Sequence, residues 1–342
     1  MVTPTRLTRW LPTAAVLALV ISPAPAGADE TAAEPCHLAG TIDPGRAVQA
    51  ELRIGKEAIQ GTLDGAESDR SLALDGTVLA DGRVDLNVRG DFDRLVGTIH
   101  GTLGPAGALG GRAIIGEWRD ADGRNPRPLD LEEVARYVTL RGRRGDELDV
   151  SCRYPFLLGG APEVAEVNRK VAAEAMDWLQ HALGAEPGSP APRGLRYEDT
   201  LVYDSPRLVS RLVRLVTERS AAPLEVRYRA ENLRVANGHV APLLLGELFR
   251  AGSGYQQTLS TRAMEELRRV VAPPRVSGAL ALLREEDLQT FTISPSALQF
   301  VVPAARAGTP GPDDVLVSVP LRSISGLLEP GGPLGETRTA GR

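Results

Sequence analysis

The two cysteines, Cys36 and Cys152, are the side chains of this 342-residue sequence with the widest range of chemistry. Neither belongs to a CxxC motif, and no histidine or asparagine pattern of a thiol enzyme accompanies them, so a redox or nucleophilic role is the weaker interpretation. An isolated pair of cysteines usually bridges in an oxidising compartment. We therefore predict a Cys36–Cys152 disulfide, which would stabilise the fold by about 4–5 kcal/mol in the chain-entropy model.

Four histidines are the next candidates for acid–base or metal chemistry: His37, His100, His181 and His239. None has a partner at the spacing of a metal site, and the sequence contains neither an HExxH motif nor a cysteine–histidine cluster. A lone histidine is usually a surface residue or a hydrogen-bonded core residue. We therefore predict no metal site and no cofactor.

Hydrolase motifs are equally weak. Residues 251–255 contain a Gly-Ser-Gly string, but no strand-to-helix turn that would expose a serine nucleophile is predicted there. Glu285, Glu286 and Asp287 form an acidic trio of the kind that usually lies in a solvated turn. Carboxylates far apart in sequence can still meet in a fold, as they do in glycosidases. The sequence favours a protein without catalytic residues, and the acidic trio supplies the candidates for the enzymatic alternative.

The N-terminus has the three parts of a cleavable signal peptide over residues 1–28. Arg6 and Arg9 supply the positive charge, residues 11–21 the apolar run, and Ala-Gly-Ala at 26–28 the cleavage site. The apolar run is shorter than the roughly 20 residues that a membrane helix needs. We predict an extracytoplasmic protein, periplasmic or secreted, without an integral membrane segment after cleavage.

Composition excludes some functional classes. The formal net charge is −5, and removal of residues 1–28 takes away two arginines and no acids, which leaves −7. A mildly acidic chain of mixed charge has no electrostatic footprint for nucleic acid. We predict no nucleic-acid partner.

Residues 29–145 are predicted to form a β-meander domain. Apolar residues fall at every second position in segments such as 71–74 and 83–88, which places them on one face of a strand. Asp81-Gly82 separates two such runs and is a strong hairpin signal. Strands spaced by roughly ten residues favour an antiparallel meander curled into a small barrel or half-barrel.

Residues 146–329 are predicted to form a second domain of strands and helices. Apolar residues recur at intervals of three and four over 162–183, which predicts an amphipathic helix that begins with Pro162. A second helix is predicted from Thr261 to Val271, capped by Ser260. The tail 330–342 is rich in Gly, Pro and Thr and is predicted to be disordered.

The second region, about 147–328, resembles an extracytoplasmic bacterial family. That family forms the lysozyme-sensing ectodomain of the anti-sigma factor RsiV and accompanies the deacetylase module of the peptidoglycan deacetylase PdaC. The resemblance rests on the order of five modest motifs: Tyr-Pro at 154–155 before the helix, DSPRLVS at 204–210, ELFRAGSGY at 247–255, FTI with ALQF at 291–300, and VSVPL with Leu-Leu at 317–328.

The resemblance implies a fold, a function and contact residues. The fold it implies is α+β, an antiparallel sheet with packed helices. The function is an exported non-catalytic binding protein that engages cell-wall glycan or a wall-acting protein such as lysozyme, with a peptidoglycan-modifying enzyme as the alternative. The candidate contact residues are Phe249, Tyr255 and Phe300. Loops 220–223 and 303–307 depart from the family pattern, which implies altered or lost ligand binding if those loops bind ligand in relatives.

Overall fold

The structure, a computed structural model, describes most of the chain after the predicted signal peptide. The described residues are 34–43, 45–65, 71–106, 110–144, 148–184, 192–220, 224–236, 238–270, 283–303, 307 and 314–334. The predicted signal peptide and the part of the predicted disordered tail from 335 onward lie outside these residues.

The first eight strands form a closed antiparallel barrel. Each strand pairs with the next along the chain, and the last strand returns to pair with the first. Closure leaves no exposed edge strand among the eight. They are β1 (Pro35–Ile42), β2 (Ala47–Ile54), β3 (Ala58–Asp64), β4 (Leu72–Val78), β5 (Arg83–Arg89), β6 (Leu95–Ala106), β7 (Gly111–Asp120) and β8 (Arg127–Arg144).

The barrel interior is filled by apolar side chains that alternate along the strands. In β5, for example, Val84, Leu86 and Val88 are buried and the residues between them are not. Trp118 of β7 is fully buried and lies against Gly97 of β6, where a Cβ atom would collide with the indole ring. An eight-stranded barrel is just wide enough for its own side chains to fill it, and this barrel is filled in that way.

Strand β8 takes part both in the barrel and in the sheet that continues beyond it. A bulge in β8 reverses the direction of its side chains between these two parts. Glu133 lies opposite Leu38 and Ala135 lies opposite His37, so the register shifts at the residue between them. Paired residues of neighbouring strands point to the same side of a sheet. Glu133 therefore points with Leu38 into the end of the barrel, and Ala135 points with His37 to the outside.

The sheet continues from β8 into five further strands. Strands β9 and β10 are parallel and are joined by helix α1 (Pro162–Gly184), whereas the later pairs are antiparallel. Helix α1 buries Val167, Val171, Ala175 and Leu179, which confirms the helix predicted over 162–183. The five strands are β9 (Leu148–Leu157), β10 (Pro192–Ser205), β11 (Leu208–Arg219), β12 (Glu225–Ala236) and β13 (His239–Pro242).

A small three-stranded sheet packs on the other face of β10–β12. Its strands are β14 (Phe291–Ile293), β15 (Ala297–Val302) and β16 (Val315–Pro320), accompanied by α2 (Tyr255–Val270) and the short α3 (Leu321–Ile324). Because α2 begins at Tyr255, the prediction that Ser260 caps this helix is wrong. Ser260 lies within α2, and its buried hydroxyl donates a hydrogen bond to the Leu283 carbonyl at 2.8 Å.

The predicted α+β class is wrong, because the described part of the chain is mostly β. The strands of the second region are long, 10 to 14 residues from β9 to β12, and β8 joins them to the barrel in one 13-stranded sheet. Only two helices longer than four residues, α1 and α2, appear in the described residues. The two regions are therefore continuous through hydrogen-bonded strands.

The predicted Cys36–Cys152 disulfide is also wrong, since both cysteines are free and buried. Across β8, Cys36 lies opposite Arg136 and Cys152 lies opposite Leu140. Four residues of a strand span roughly 13 Å, whereas bridged cysteines have Cα atoms within about 7 Å. Cys36 also belongs to the barrel core and Cys152 to the core under α1.

Candidate functional site

The three aromatic residues predicted to contact a ligand lie in or beside the core between α2 and the small sheet. Phe249 is 5% exposed and stacks on Tyr255, with ring centroids 4.4 Å apart and planes at 4°. Phe300 has no exposed surface and lies 6.3 Å from the Phe291 ring. Of the three, only Tyr255 reaches the surface in part. Phe249 and Phe300 thus fill the core, and Tyr255 is the one within reach of another molecule.

The acidic trio lies in a short 3₁₀ turn, Glu285–Leu288. The Asp287 carboxylate accepts a hydrogen bond from the backbone N–H of Arg284 at 2.8 Å, as a helix-capping residue does. Glu286 is exposed and pairs with the Arg284 guanidinium at 3.3 Å. These contacts describe a solvated capping turn, and they do not bring Glu286 and Asp287 to a buried partner.

The densest group of chemistry-bearing side chains is one that sequence reasoning missed. Between α1 and the sheet, the guanidinium of Arg211 on β11 is surrounded by carboxylates from three other elements. Its Nε donates to Glu231 Oε2 at 2.8 Å, its Nη1 to the Asp199 carboxylate, and its Nη2 to Glu174 and Glu231. We call the whole group the Arg211 cluster: Lys170, Glu174, Asp199, Arg211, Arg229 and Glu231.

The Arg211 cluster is balanced in charge and closed to solvent at its centre. Lys170 pairs with Glu231, and Arg229 pairs with Glu174, so three cations meet three anions. Arg211 is 1% exposed and Asp199 has no exposed surface. Arginine suits this position because its planar fork serves several carboxylates at once and stays charged.

Burial and charge act in opposite directions on these acids. Burial raises the pKa of Asp199 to about 6, although Arg211 opposes the shift. Burial also disfavours the charged form of Glu231, but Arg211 and Lys170 outweigh it and lower the pKa of that group. The Oδ1 atom of Asp199 has no hydrogen-bond partner among the described residues. The cluster therefore joins α1 to the sheet, with Arg211 and Asp199 buried at its centre and Lys170 and Arg229 exposed at its edge.

A second polar group joins the barrel wall to the end of β10. The His37 Nε2 atom lies 2.9 Å from Gln49 Oε1, Gln49 Nε2 donates to the Asp204 carbonyl at 2.7 Å, and the Asp204 N–H donates to Gln49 Oε1 at 3.2 Å. Burial lowers the pKa of His37 to about 4 and raises that of the Asp204 carboxyl to about 7. Both shifts favour uncharged groups at this junction.

Polar side chains close the two ends of the barrel. At one end the fully buried Glu133 carboxylate accepts from Arg112 Nε at 3.1 Å and from Arg136 Nε at 2.8 Å. At the other end Trp118 Nε1 donates to Asp120 Oδ1 at 3.3 Å, and Arg127 lies over the indole ring. The barrel therefore has a filled apolar interior and hydrogen-bonded polar side chains at both ends.

The thiols have the reactivity of buried side chains. Burial raises the pKa of Cys36 to about 11 and that of Cys152 to about 12. Because the thiolate is the nucleophile and the metal ligand, both cysteines are unreactive at neutral pH. No three of the described His, Cys, Asp and Glu side chains are grouped so that they could hold a metal ion.

An exposed aromatic residue, Phe92, was also missed by sequence reasoning. It lies in the loop between β5 and β6, and its side chain is fully exposed. The local sequence Asp91-Phe92-Asp93 between two alternating strands could have drawn attention to it, because two turn-forming aspartates flank an aromatic residue.

Comparisons with known proteins give a limited result. No protein-family model matches the chain, and no curated protein matches it. Within the described residues, no helix combines the length and the apolar character needed to cross a bilayer.

Two solved bacterial structures are similar to part of the chain. A DUF3298 family member from Bacteroides fragilis has a TM-score of 0.37 and 13% identity over 60% of this chain and 98% of its own. A DUF3298 family protein from Pseudomonas aeruginosa has a TM-score of 0.39 and 11% identity over 57% of this chain and 93% of its own. At these values the likeness carries no argument on fold or function. Both of these structural neighbours are DUF3298 family proteins of bacteria.

Proposed function

We propose that this chain is an exported, non-catalytic binding protein of the bacterial envelope. It engages a wall-acting protein such as lysozyme or the cell-wall glycan itself, through its surface loops. The proposal joins the signal-peptide pattern of residues 1–28 and the motif resemblance to the RsiV and PdaC family with the geometry of the described residues.

The observation that supports a non-catalytic role is the burial of the described side chains that could do acid–base or nucleophilic chemistry. The Arg211–Asp199 pair is sealed beneath α1, and the Glu133 carboxylate is sealed at the end of the barrel. The Cys36 and Cys152 thiols are buried and protonated at neutral pH. A catalytic acid, base or nucleophile must reach the substrate within hydrogen-bond distance, and these groups do not reach the surface.

The charge of the chain favours a basic partner. The formal net charge is −5 and becomes −7 when residues 1–28 are removed. Charges of opposite sign steer two proteins together and raise the association rate, most strongly at low salt. A cationic wall-acting protein therefore matches the negative charge of this chain better than an anionic polymer does.

The direct test uses the chain without residues 1–28, immobilised lysozyme, and purified insoluble peptidoglycan. Retention on lysozyme supports protein capture, and co-sedimentation with peptidoglycan supports glycan binding. A folded sample that binds neither lysozyme nor peptidoglycan at micromolar concentration would overturn the proposal.

The same preparations test the enzymatic alternative. The chain is incubated with peptidoglycan, and free acetate and soluble muropeptides are measured. Release of either product at a rate abolished by substitution of Asp287 or Glu286 would replace the binding function with an enzymatic one. Tight binding without release would support the proposal as stated.

A further inference from the structure

The side chain of Phe92 stands entirely in solvent at the end of the barrel. Exposed apolar side chains are common one at a time, and exposure alone needs no explanation. Phe92 is distinguished because it is as exposed as in an extended peptide and because its backbone has an uncommon conformation. Both observations concern the same residue and are independent of each other.

The backbone at Phe92 is left-handed, with φ 59° and ψ 30°, and Asp93 follows with φ 61°. The Arg94 N–H donates to the Asp91 carbonyl at 3.4 Å, so residues 91–94 form a tight turn of the type I′ kind. Such turns favour Asn, Asp and Gly at their centre, and an aromatic side chain is strained there.

The other described non-glycine residues with positive φ show what is usual in this protein. They are Asp43, Asp93 and Asn125, all types that tolerate the left-handed region. They lie in the β1–β2, β5–β6 and β7–β8 connections, which share one end of the antiparallel barrel. Phe92 is the exception among these loops, and strain at an exposed position points to a role outside the fold.

The turn that carries Phe92 is held by a backbone hydrogen bond at its base and by ion pairs of Arg89. The Gly90 N–H donates to the Arg94 carbonyl at 2.9 Å. The Arg89 side chain lies 3.1 Å from Asp75 on β4 and 3.6 Å from Asp93. A braced turn presents its tip with little ordering cost when a partner binds.

From this geometry we infer that Phe92 is an anchor that inserts into an apolar pocket of a partner protein whose rim is basic. Asp91 and Asp93 flank the ring in sequence, Asp93 also pairs with Arg89, and the net charge of −7 without residues 1–28 favours a basic rim. A single protruding ring fits a pocket, whereas a glycan chain binds along a groove or platform, and the negative net charge opposes an anionic membrane surface. The inference rests on the proposed function and names the surface and the partner's chemistry.

The test measures binding of the chain without residues 1–28 to immobilised lysozyme, with Phe92→Ala and Phe92→Tyr as variants. Truncation of an anchor residue weakens binding by about 30-fold or more, so Phe92→Ala is expected to show that loss. Phe92→Tyr keeps the ring and is expected to stay within threefold of the wild type. Leu244→Ala is the matched control, because Leu244 is an exposed apolar residue outside the barrel and is expected to leave affinity unchanged.

The flanking charges have a separate readout. The variant Asp91→Asn, which leaves the Arg89–Asp93 pair in place, is expected to lower the association rate in low salt and to flatten its salt dependence, because rim charges act on encounter.

The outcomes separate this inference from the proposed function. Wild-type binding to lysozyme that Phe92→Ala retains would overturn the anchor and leave the proposed function standing. Binding to peptidoglycan alone, lost in Phe92→Ala, would overturn the choice of a protein partner. Wild-type binding to neither probe would overturn the proposed function and this inference with it.

Discussion

Replacing Arg211 with methionine tests whether the Arg211 cluster holds the second region together. Methionine approximates the length of the side chain and removes the only cation in contact with Asp199 among the described ion pairs. Glu231 and Glu174 keep Lys170 and Arg229 as partners. The variant therefore leaves the fully buried Asp199 carboxylate without an ion-pair partner, although the charge of Arg153 still acts to lower its pKa.

The expected loss follows from that isolated charge. Removing one partner of a buried ion pair costs about 3–5 kcal/mol, because the remaining charge stays desolvated. A surface ion pair contributes about 0–1 kcal/mol. Arg229→Met is the matched control, since Arg229 is about half exposed and contacts Glu174 of the same cluster. We expect the first variant to lose several times more stability than the second.

The pH dependence gives the loss a diagnostic sign. Without Arg211 the folded-state pKa of Asp199 rises further above its unfolded value, so ionisation destabilises the fold as pH rises above about 4. The deficit of Arg211→Met relative to the wild type is therefore expected to be largest at pH 8 and smaller at pH 5. Urea denaturation followed by circular dichroism at both pH values measures it.

Rescue identifies the cause. Adding Asp199→Asn to Arg211→Met removes the buried charge and is expected to recover about half of the lost stability at pH 8. A deficit below 1 kcal/mol, a deficit equal at the two pH values, or no recovery in the double variant would refute the argument from an isolated buried carboxylate.

Four further predictions concern single features. Phe92→Asn is expected to stabilise the fold by about 1 kcal/mol, seen as a rise in Tm, because asparagine tolerates the left-handed region; an unchanged or lower Tm would contradict the strain. Gly97→Ala is expected to cost about 3 kcal/mol in urea denaturation, because its Cβ meets the buried Trp118 ring; tolerance would contradict the close packing. Burial raises the pKa of Asp204 to about 7, so its ionisation opposes folding from about pH 4 to 7, and Asp204→Asn is expected to stabilise by about 2 kcal/mol at pH 8 and by little at pH 4. Both thiols are expected to react with Ellman's reagent only after unfolding, at two per chain without a reductant, whereas a disulfide would give none.

The local sequence pattern identified individual elements well. The period of two over 83–88 places Val84, Leu86 and Val88 inside the barrel, where the structure has them. The period of three to four over 162–183 predicted the helix that the structure shows as α1. Both succeed because the periodicity of a strand or helix is a property of neighbouring residues. The pattern of elements and the resemblance together, by contrast, led to a class with more helix than the described residues have, and two of the candidate contact residues, Phe249 and Phe300, do not reach the surface.

Only the tertiary structure decided how distant residues meet. The barrel closes because β1 pairs with β8, nearly a hundred residues later, and one bulge in β8 separates the cores that hold Cys36 and Cys152. The Arg211 cluster unites β10, β11, β12 and α1, and its members carry no spacing that marks them as partners. The sequence by itself determined the strands and α1, because their patterns are local. Strand register, closure and burial of charge depend on the whole sheet, and those decided which side chains are sealed inside and which, like Phe92, are left outside.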